Sequence, residues 1–285
     1  MRIAYVIPKS SYAFFREVIP HLEDYGHRLI VNPSNLNGFD IAWAAMLPQT
    51  KEWSDTLQAS GIPTVLWHWD QFSFVNYADL GWRTLYDMMP NALEIWSASY
   101  ETARLLKTSH GYESWVVGSW VNPSDFEPPY YQGDFVFYAA PYSAFHKRVA
   151  WVELACNRLG IPFRQTYQGS QGLSRHQYCE LMRCCRCYVM AAFEESNGTI
   201  PTLEAALCNK PVLLSDLPAC HEEFGRHATY FKTWDFGDFM ERLNDVYHGK
   251  HPSVDEARER IVKLFAVENV ARRIAGRLKE LEARL

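Results

Sequence analysis

Short apolar runs alternate with amphipathic stretches along almost the whole chain, and this alternation limits the fold more than any other feature. Arg2-Ile-Ala-Tyr-Val-Ile-Pro8 reads as a buried strand closed by proline. Residues 11–25 carry Phe14, Phe15, Val18, Ile19 and Leu22 at helical spacing, and Gly26 ends the segment as a C-cap. Further strands are expected at 28–31, 40–45, 64–69, 92–96 and 114–117, with helices at 53–60 and 100–109. Strands separated by helical segments of about 10–15 residues form βαβ units, so the sheet is parallel with right-handed crossovers.

The segment Asn122-Pro-Ser-Asp-Phe-Glu-Pro-Pro-Tyr-Tyr-Gln-Gly133 interrupts this pattern, because its prolines suit neither a helix nor a central strand. The alternation then restarts, with strands at 134–140, 163–168, 187–192, 211–214 and 228–231 and helices at 147–159, 177–184 and 201–207. Ile261, Leu264, Val267, Val270, Ile274, Leu278 and Leu281 place one apolar stripe on a terminal helical segment. The expected class is α/β: two Rossmann-like, doubly wound parallel-sheet domains facing a cleft, with a C-terminal helical tail. The boundaries are domain one at 1–122, a linker at 123–133, domain two at 134–253, and helices at 254–285 packing across both.

A chain of 285 residues, 48% hydrophobic, is long enough for two cores and too apolar for disorder. Its 28 basic and 33 acidic side chains leave a net charge of −5, which disfavours a role coating nucleic acid or anionic membrane. No apolar run approaches the roughly 18 residues of a membrane span, and the opening segment does not read as a signal peptide. The expected setting is the cytoplasm, in keeping with seven cysteines that form no disulfide framework. Cys184-Cys185-Arg186-Cys187 lacks paired C-x-x-C spacing, so no metal site is expected there.

The chemistry concentrates in Phe193-Glu-Glu-Ser-Asn-Gly-Thr-Ile-Pro-Thr-Leu-Glu-Ala-Ala206, which follows one expected strand and opens a helix. Gly198 permits positive φ and close backbone approach, and Pro201 suits a first helical turn. Free amides near Thr199 and Ile200, with the positive end of the helix dipole, make an anion site fit for a diphosphate. Glu204, one turn in, is placed to meet vicinal hydroxyls such as those of a ribose, and Glu194 and Glu195 precede the loop.

Glu195-Ser-Asn-Gly-Thr-Ile-Pro-Thr-Leu-Glu-Ala-Ala-Leu-Cys-Asn-Lys-Pro-Val-Leu-Leu-Ser-Asp216 resembles the signature of the retaining glycosyltransferases of family four, which have the GT-B fold. Leu217 to Phe231 and the helix Ser174 to Met182 are similar to the family's flanking segments. The likeness covers about residues 134–285 and is only topological before them. It implies that Glu204 binds the ribose and that Glu195 holds the donor sugar. Ser196, Asn197, Gly198, Thr199 and Ile200 would form the donor-binding loop, with the Gly198–Ile200 amides and Lys147 on the diphosphate. The family spaces its two glutamates by seven residues, whereas residues 196 to 203 lie between Glu195 and Glu204. A one-residue insertion accounts for this; strict counting instead puts Ser196 at the first acidic position.

A second matched element is Ala140-Pro-Tyr-Ser-Ala-Phe-His-Lys-Arg148. Lys147 takes the place of the family's phosphate-binding lysine, while Tyr142 stands where the family has an arginine, a charge that adjacent Arg148 would supply. In domain one, Trp67-His68-Trp69-Asp70 resembles the segment that contacts the transferred sugar, making His68 and Asp70 catalytic candidates with Glu195. Trp67, Trp69, Phe72, Phe74, Tyr77 and Trp82 are candidate stacking groups. The chain has no Asp-x-Asp motif, so a metal-independent reaction is expected.

The implied activity is retaining transfer of a sugar from a nucleotide-diphosphate sugar, UDP- or GDP-linked, to a hydroxyl acceptor, with no other cofactor. The acceptor stays open among a glycan, a lipid-linked sugar, a small metabolite and a hydroxylated nucleobase in DNA. An epimerase-like enzyme and a non-catalytic nucleotide-sugar-binding module are the other readings. Arg272, Arg273, Arg277 and Lys279 offer peripheral membrane contact, against the alternative that the tail packs back on the domains.

Overall fold

The structure, a computed structural model, describes residues 1–7, 13–69, 86–127, 130–168, 171–195 and 199–285. It divides into two compact units, one formed by Met1–Trp120 with Val267–Leu285 and the other by Val121–Ala266.

The first unit runs β1 (Arg2–Val6), α1 (Ala13–Glu23), β2 (Arg28–Val31), β3 (Ile41–Met46), α2 (Ser54–Ser60), β4 (Thr64–His68), β5 (Glu94–Ser97), α3 (Tyr100–His110) and β6 (Trp115–Val116). Its sheet has the order β2-β1-β3-β4-β5-β6, and every pairing is parallel. β3 and β4 are buried at every position, as expected where helices cover both faces. Ala42, Ala44, Met46 and Leu66 pack with Leu57 and Leu106 on one side. Aromatic rings fill much of the rest: Tyr5 stacks on Trp43 at 4.5 Å, and Trp43 meets Trp67 at 5.5 Å and Trp96 at 5.2 Å. Trp67 is fully buried among these rings, so this side chain is core and not a surface on which a ligand can stack. Trp69, half-buried, packs on Phe14 at 4.8 Å. The other candidate stacking groups, Phe72, Phe74, Tyr77 and Trp82, lie outside the described residues.

The second unit runs β7 (Val136–Tyr138), α4 (Val149–Leu159), β8 (Phe163–Gln165), β9 (Tyr167–Gln168), β10 (Gln171–Gly172), α5 (Arg175–Cys184), β11 (Cys187–Met190), α6 (Ile200–Leu207), β12 (Val212–Ser215), α7 (Pro218–Phe224), β13 (Thr229–Phe231), α8 (Phe236–Tyr247) and α9 (Val254–Phe265). The main sheet is again parallel, ordered β13-β12-β11-β7-β8, while β9 and β10 form a small antiparallel hairpin. The expected strand at 163–168 is therefore split at Thr166. Helices α7 and α8 were not anticipated. α8 does carry its own signals: Asp235 caps it by accepting from the Asp238 amide at 3.0 Å, and Phe239, Leu243 and Val246 are buried.

Val121 and Ala266, where the chain enters and leaves this unit, bridge each other, and the Val121 amide donates to the Phe265 carbonyl at 2.9 Å. That bridge divides the C-terminal segment into two helices: α9 belongs to the second unit, and α10 (Val267–Glu282) to the first. α10 packs against α1 through Val270, Ile274, Leu278 and Leu281, which recur every three or four residues. Arg277 is folded onto Glu94 of β5, while Arg273 is exposed and reaches the Val117 carbonyl of the same unit at 3.5 Å. Among the described residues no helix is long and apolar enough to cross a membrane.

The proline-rich segment after Asn122 is packed on the second unit. Phe126 is fully buried in its core, the Arg183 guanidinium donates to the Asp125 carbonyl at 2.8 Å, and the Tyr131 amide donates to the Arg183 carbonyl at 3.1 Å. Gly133, at its end, passes so near α5 that a Cβ there would stand 2.0 Å from the Cys184 carbonyl oxygen. Gly133→Ala is expected to displace the backbone at a cost of about 1–3 kcal/mol, lowering Tm by roughly 5 °C, as followed by circular dichroism.

Candidate functional site

In an open parallel sheet, ligands bind beyond the carboxyl ends of the strands where the strand order reverses. In the second unit that reversal lies between β7 and β11, since β8 lies on one side of β7 and β11 on the other. Two expected site residues meet in the loops leaving these strands: the Lys147 ammonium forms a salt bridge with Glu195, whose side chain is only 5% exposed.

The backbone sets this meeting. The Tyr138 hydroxyl at the end of β7 donates to the Lys147 carbonyl at 2.8 Å, and the Phe193 amide donates to the His146 carbonyl at 3.0 Å. The second bond ties the loop after β7 to the loop after β11, which carries Glu195. His146 is itself buried, and burial, reinforced by the Lys147 charge, pushes its imidazole down to about 4.

Arg148 has partners of its own. It occupies the left-handed region at φ 52° and is buried, donating from Nε to the Ala191 carbonyl at 2.7 Å and from Nη1 to the Thr233 carbonyl. Its guanidinium lies over the rings of Trp151, at 4.3 Å, and Trp234, at 5.3 Å. Burial lowers it to about 10, and among the described residues no carboxylate pairs with it. Tyr142, in the position expected for a cation, is half-exposed and donates to the Glu153 carboxylate at 2.6 Å.

Glu204 is 4% exposed on α6 and is held from both sides. Arg175 donates to Oε1 at 2.8 Å, and the Tyr178 hydroxyl donates to Oε2. The second Arg175 nitrogen reaches Asp125 at 2.8 Å. Burial pushes the Glu204 carboxyl up, more than Arg175 and Tyr178 pull it down. Arg175 is lifted by Glu204 and Asp125 in spite of its own burial. Each carboxylate oxygen has a second lone pair, so Glu204 keeps acceptor capacity beyond these two bonds. Arg175, Tyr178 and Asp125 were not singled out by sequence; the available signal was the i, i+3 spacing of Arg175 and Tyr178 on the helix before the signature strand. A capping box between Ser174 and Gln177 starts that helix two residues earlier than expected.

Thr199 precedes α6 with φ 71°, an unusual conformation for a β-branched residue, and its carbonyl accepts from the Thr202 amide and hydroxyl at 3.0 and 2.6 Å. Ile200 opens the helix against the core. Ser196, Asn197 and Gly198 lie outside the described residues, as does Asp70. In the first unit, His68 ends β4 fully buried, its Nε2 2.9 Å from the Tyr86 hydroxyl, and burial drops the imidazole to about 3. Tyr86 stacks in turn on His110 at 4.5 Å. His68 is thus a neutral imidazole at physiological pH. Among the described residues no three His, Cys, Asp or Glu side chains cluster so as to hold a metal ion.

No protein-family model and no curated protein matches the chain in sequence. Solved structures do match in shape. HepE from Anabaena, in complex with UDP and glucose, is 13% identical, with 98% of this chain and 100% of that chain covered and a TM-score of 0.77. Sucrose-phosphate synthase from Thermosynechococcus elongatus is 10% identical over 100% of both chains, with a TM-score of 0.81. A glycosyltransferase from Rickettsia africae is 11% identical over 98% of both, with a TM-score of 0.68. These likenesses, at such low identity, give the fold: two Rossmann-like parallel-sheet units of the GT-B class.

Two outcomes follow from the site's electrostatics. Arg175→Ala strips one side of a buried carboxylate and is expected to cost about 1–3 kcal/mol in urea unfolding. Adding Glu204→Gln, which removes the charge left behind, should recover most of it. For His146 the folded-state value lies below the ordinary 6.5, so the stability owed to the neutral ring is complete above that pH and is lost towards pH about 4. Tm measured between pH 7 and 4 should therefore fall less steeply in His146→Gln than in the wild type.

Proposed function

We propose that the chain is a glycosyltransferase that moves a sugar from a nucleoside-diphosphate sugar to a hydroxyl acceptor. The observation that carries this reading is the meeting of Lys147 and Glu195 at the strand-order reversal of the second unit, in the loop leading to α6. The HepE structure, whose complex holds UDP and glucose, supports the same class of donor.

In this reading the second unit is the donor side. Lys147 and the first amides of α6, with residues 196–200, take the diphosphate; a fixed cation and a helix dipole offset the charge that builds on the leaving group. Glu204 accepts from the ribose hydroxyls with the lone pairs that Arg175 and Tyr178 leave free. Glu195 exchanges its salt bridge for hydroxyls of the transferred sugar as Lys147 swings to phosphate. Arg148 adds positive potential from beneath through its buried charge, and Tyr142 stands at the rim of the same loop. The first unit, with His68 and Asp70, is the acceptor side, and a neutral His68, buried with its Nε2 at the Tyr86 hydroxyl, acts there by positioning that residue.

Transfer is retaining and metal-independent in this proposal. The acceptor oxygen bonds to the anomeric carbon on the face from which the diphosphate departs, and the acceptor proton passes to the leaving phosphate oxygen. A glycan or a small hydroxylated metabolite is the acceptor class, consistent with a net charge of −5.

Thermal-shift titration with UDP, GDP, ADP, CDP and TDP tests the donor site. At least one should raise Tm by several degrees, the response to about 2.7 kcal/mol of linkage at a hundredfold excess over Kd. Lys147→Ala should weaken that nucleotide by about 10- to 100-fold, the loss of one charge-assisted contact. No stabilisation of the wild type by any of the five would overturn the reading.

A further inference from the structure

The loops that carry Lys147 and Glu195 also carry Phe145 and Phe193, which form one contiguous aromatic surface with Trp234. Trp234 stacks on Phe193 at 5.0 Å with 29° between the planes, and Phe145 lies against Phe193 at 5.5 Å. Trp234 is 72% exposed and Phe145 48%, a large apolar area to leave in water.

The rings are held from below. Buried Arg148 donates to the carbonyl of Thr233, the residue before Trp234, and to that of Ala191, two residues before Phe193. Its guanidinium lies within 5.3 Å of the Trp234 ring centroid and 5.8 Å of Phe193. One side chain thus pins both segments that carry the platform, at the cost of burying a charge with no carboxylate partner among the described residues. Sequence neighbourhood joins the platform to the site: Phe145 stands two residues before Lys147, and Phe193 two before Glu195.

We propose that Trp234, Phe193 and Phe145 form a stacking subsite for a pyranose ring. The inference rests on the donor reading above, in which the ribose lies at Glu204 and the sugar at Glu195. The platform belongs to the Glu195 end, so the planar group it meets is the apolar face of a sugar and not the nucleobase. That sugar comes either from the donor or from a glycan acceptor, and the two sources are separable.

Trp234→Ala tests the subsite, because the ring is mostly exposed and its loss leaves the core intact. Wild type and variant are titrated calorimetrically with UDP, UDP-glucose, GDP and GDP-mannose, then applied with UDP or GDP to an array of immobilised oligosaccharides. If the donor sugar stacks, Trp234→Ala binds the sugar nucleotide about ten-fold more weakly and the free diphosphate unchanged. If the acceptor stacks, nucleotide and sugar nucleotide bind as in the wild type, and the array signal falls by about the same factor. Phe145→Ala should follow Trp234→Ala with a smaller loss. Equal binding by wild type and variant to every probe overturns the platform, as does a wild type that binds no sugar on either arm. A variant that changes only the oligomeric state in sedimentation assigns the surface to a second copy of the chain and equally overturns it. Failure of the diphosphates alone, with Trp234-dependent glycan capture intact, would instead overturn the donor reading.

Discussion

The constraint on which the structure depends is the parallel sheet buried on both faces. A parallel strand cannot be reached by a tight hairpin, so each main-sheet connection must cross the sheet, and the crossing segment covers a face. Polar side chains then have few places to stand apart from the strand ends. In the second unit this delivers two separate loops, after β7 and β11, to the point where the strand order reverses. Lys147 and Glu195 meet there because the His146 carbonyl and the Phe193 amide join the loops before either side chain is considered.

Charge in that unit is handled in three ways. Lys147 and Glu195 neutralise each other, the lysine partly exposed and the glutamate buried. Glu204 is taken out of water and compensated by Arg175 and Tyr178, an arrangement whose net stabilisation is small because desolvation offsets much of the attraction. Arg148 is buried against carbonyls and rings, with no carboxylate partner among the described residues. Arrangements of this kind are costly in a core, and three of them occur on the loops and helices that follow β7 and β11.

Much was legible before the fold. Every main-sheet strand was placed in the sequence, and Gly26, read there as a helix stop, lies in the left-handed region as that role requires. Glu195 and Glu204 were candidates from residue type and place and Lys147 from the family resemblance, and the structure pairs Lys147 with Glu195. What escaped has identifiable causes. α7 is seven residues long and α8 follows a short strand, so neither stood out as a periodic segment of its own. Asp125 sat in a proline-rich stretch that reads as a linker until Phe126 is found in the core. Arg175 and Tyr178 share a helix face that has meaning only once Glu204 is opposite.

By itself, the amino-acid sequence determined the class and connectivity, because hydrophobic periodicity and proline and glycine punctuation act over a few residues at a time. Only the tertiary structure decided the pairings. Arg148 became a pin beneath an aromatic platform and not a free cation, and Trp67 became core. The stripe at 261–281 was divided between two units by a single bridge at Val121 and Ala266. Each of these depends on groups tens of residues apart, and no local pattern records which of them burial will bring together.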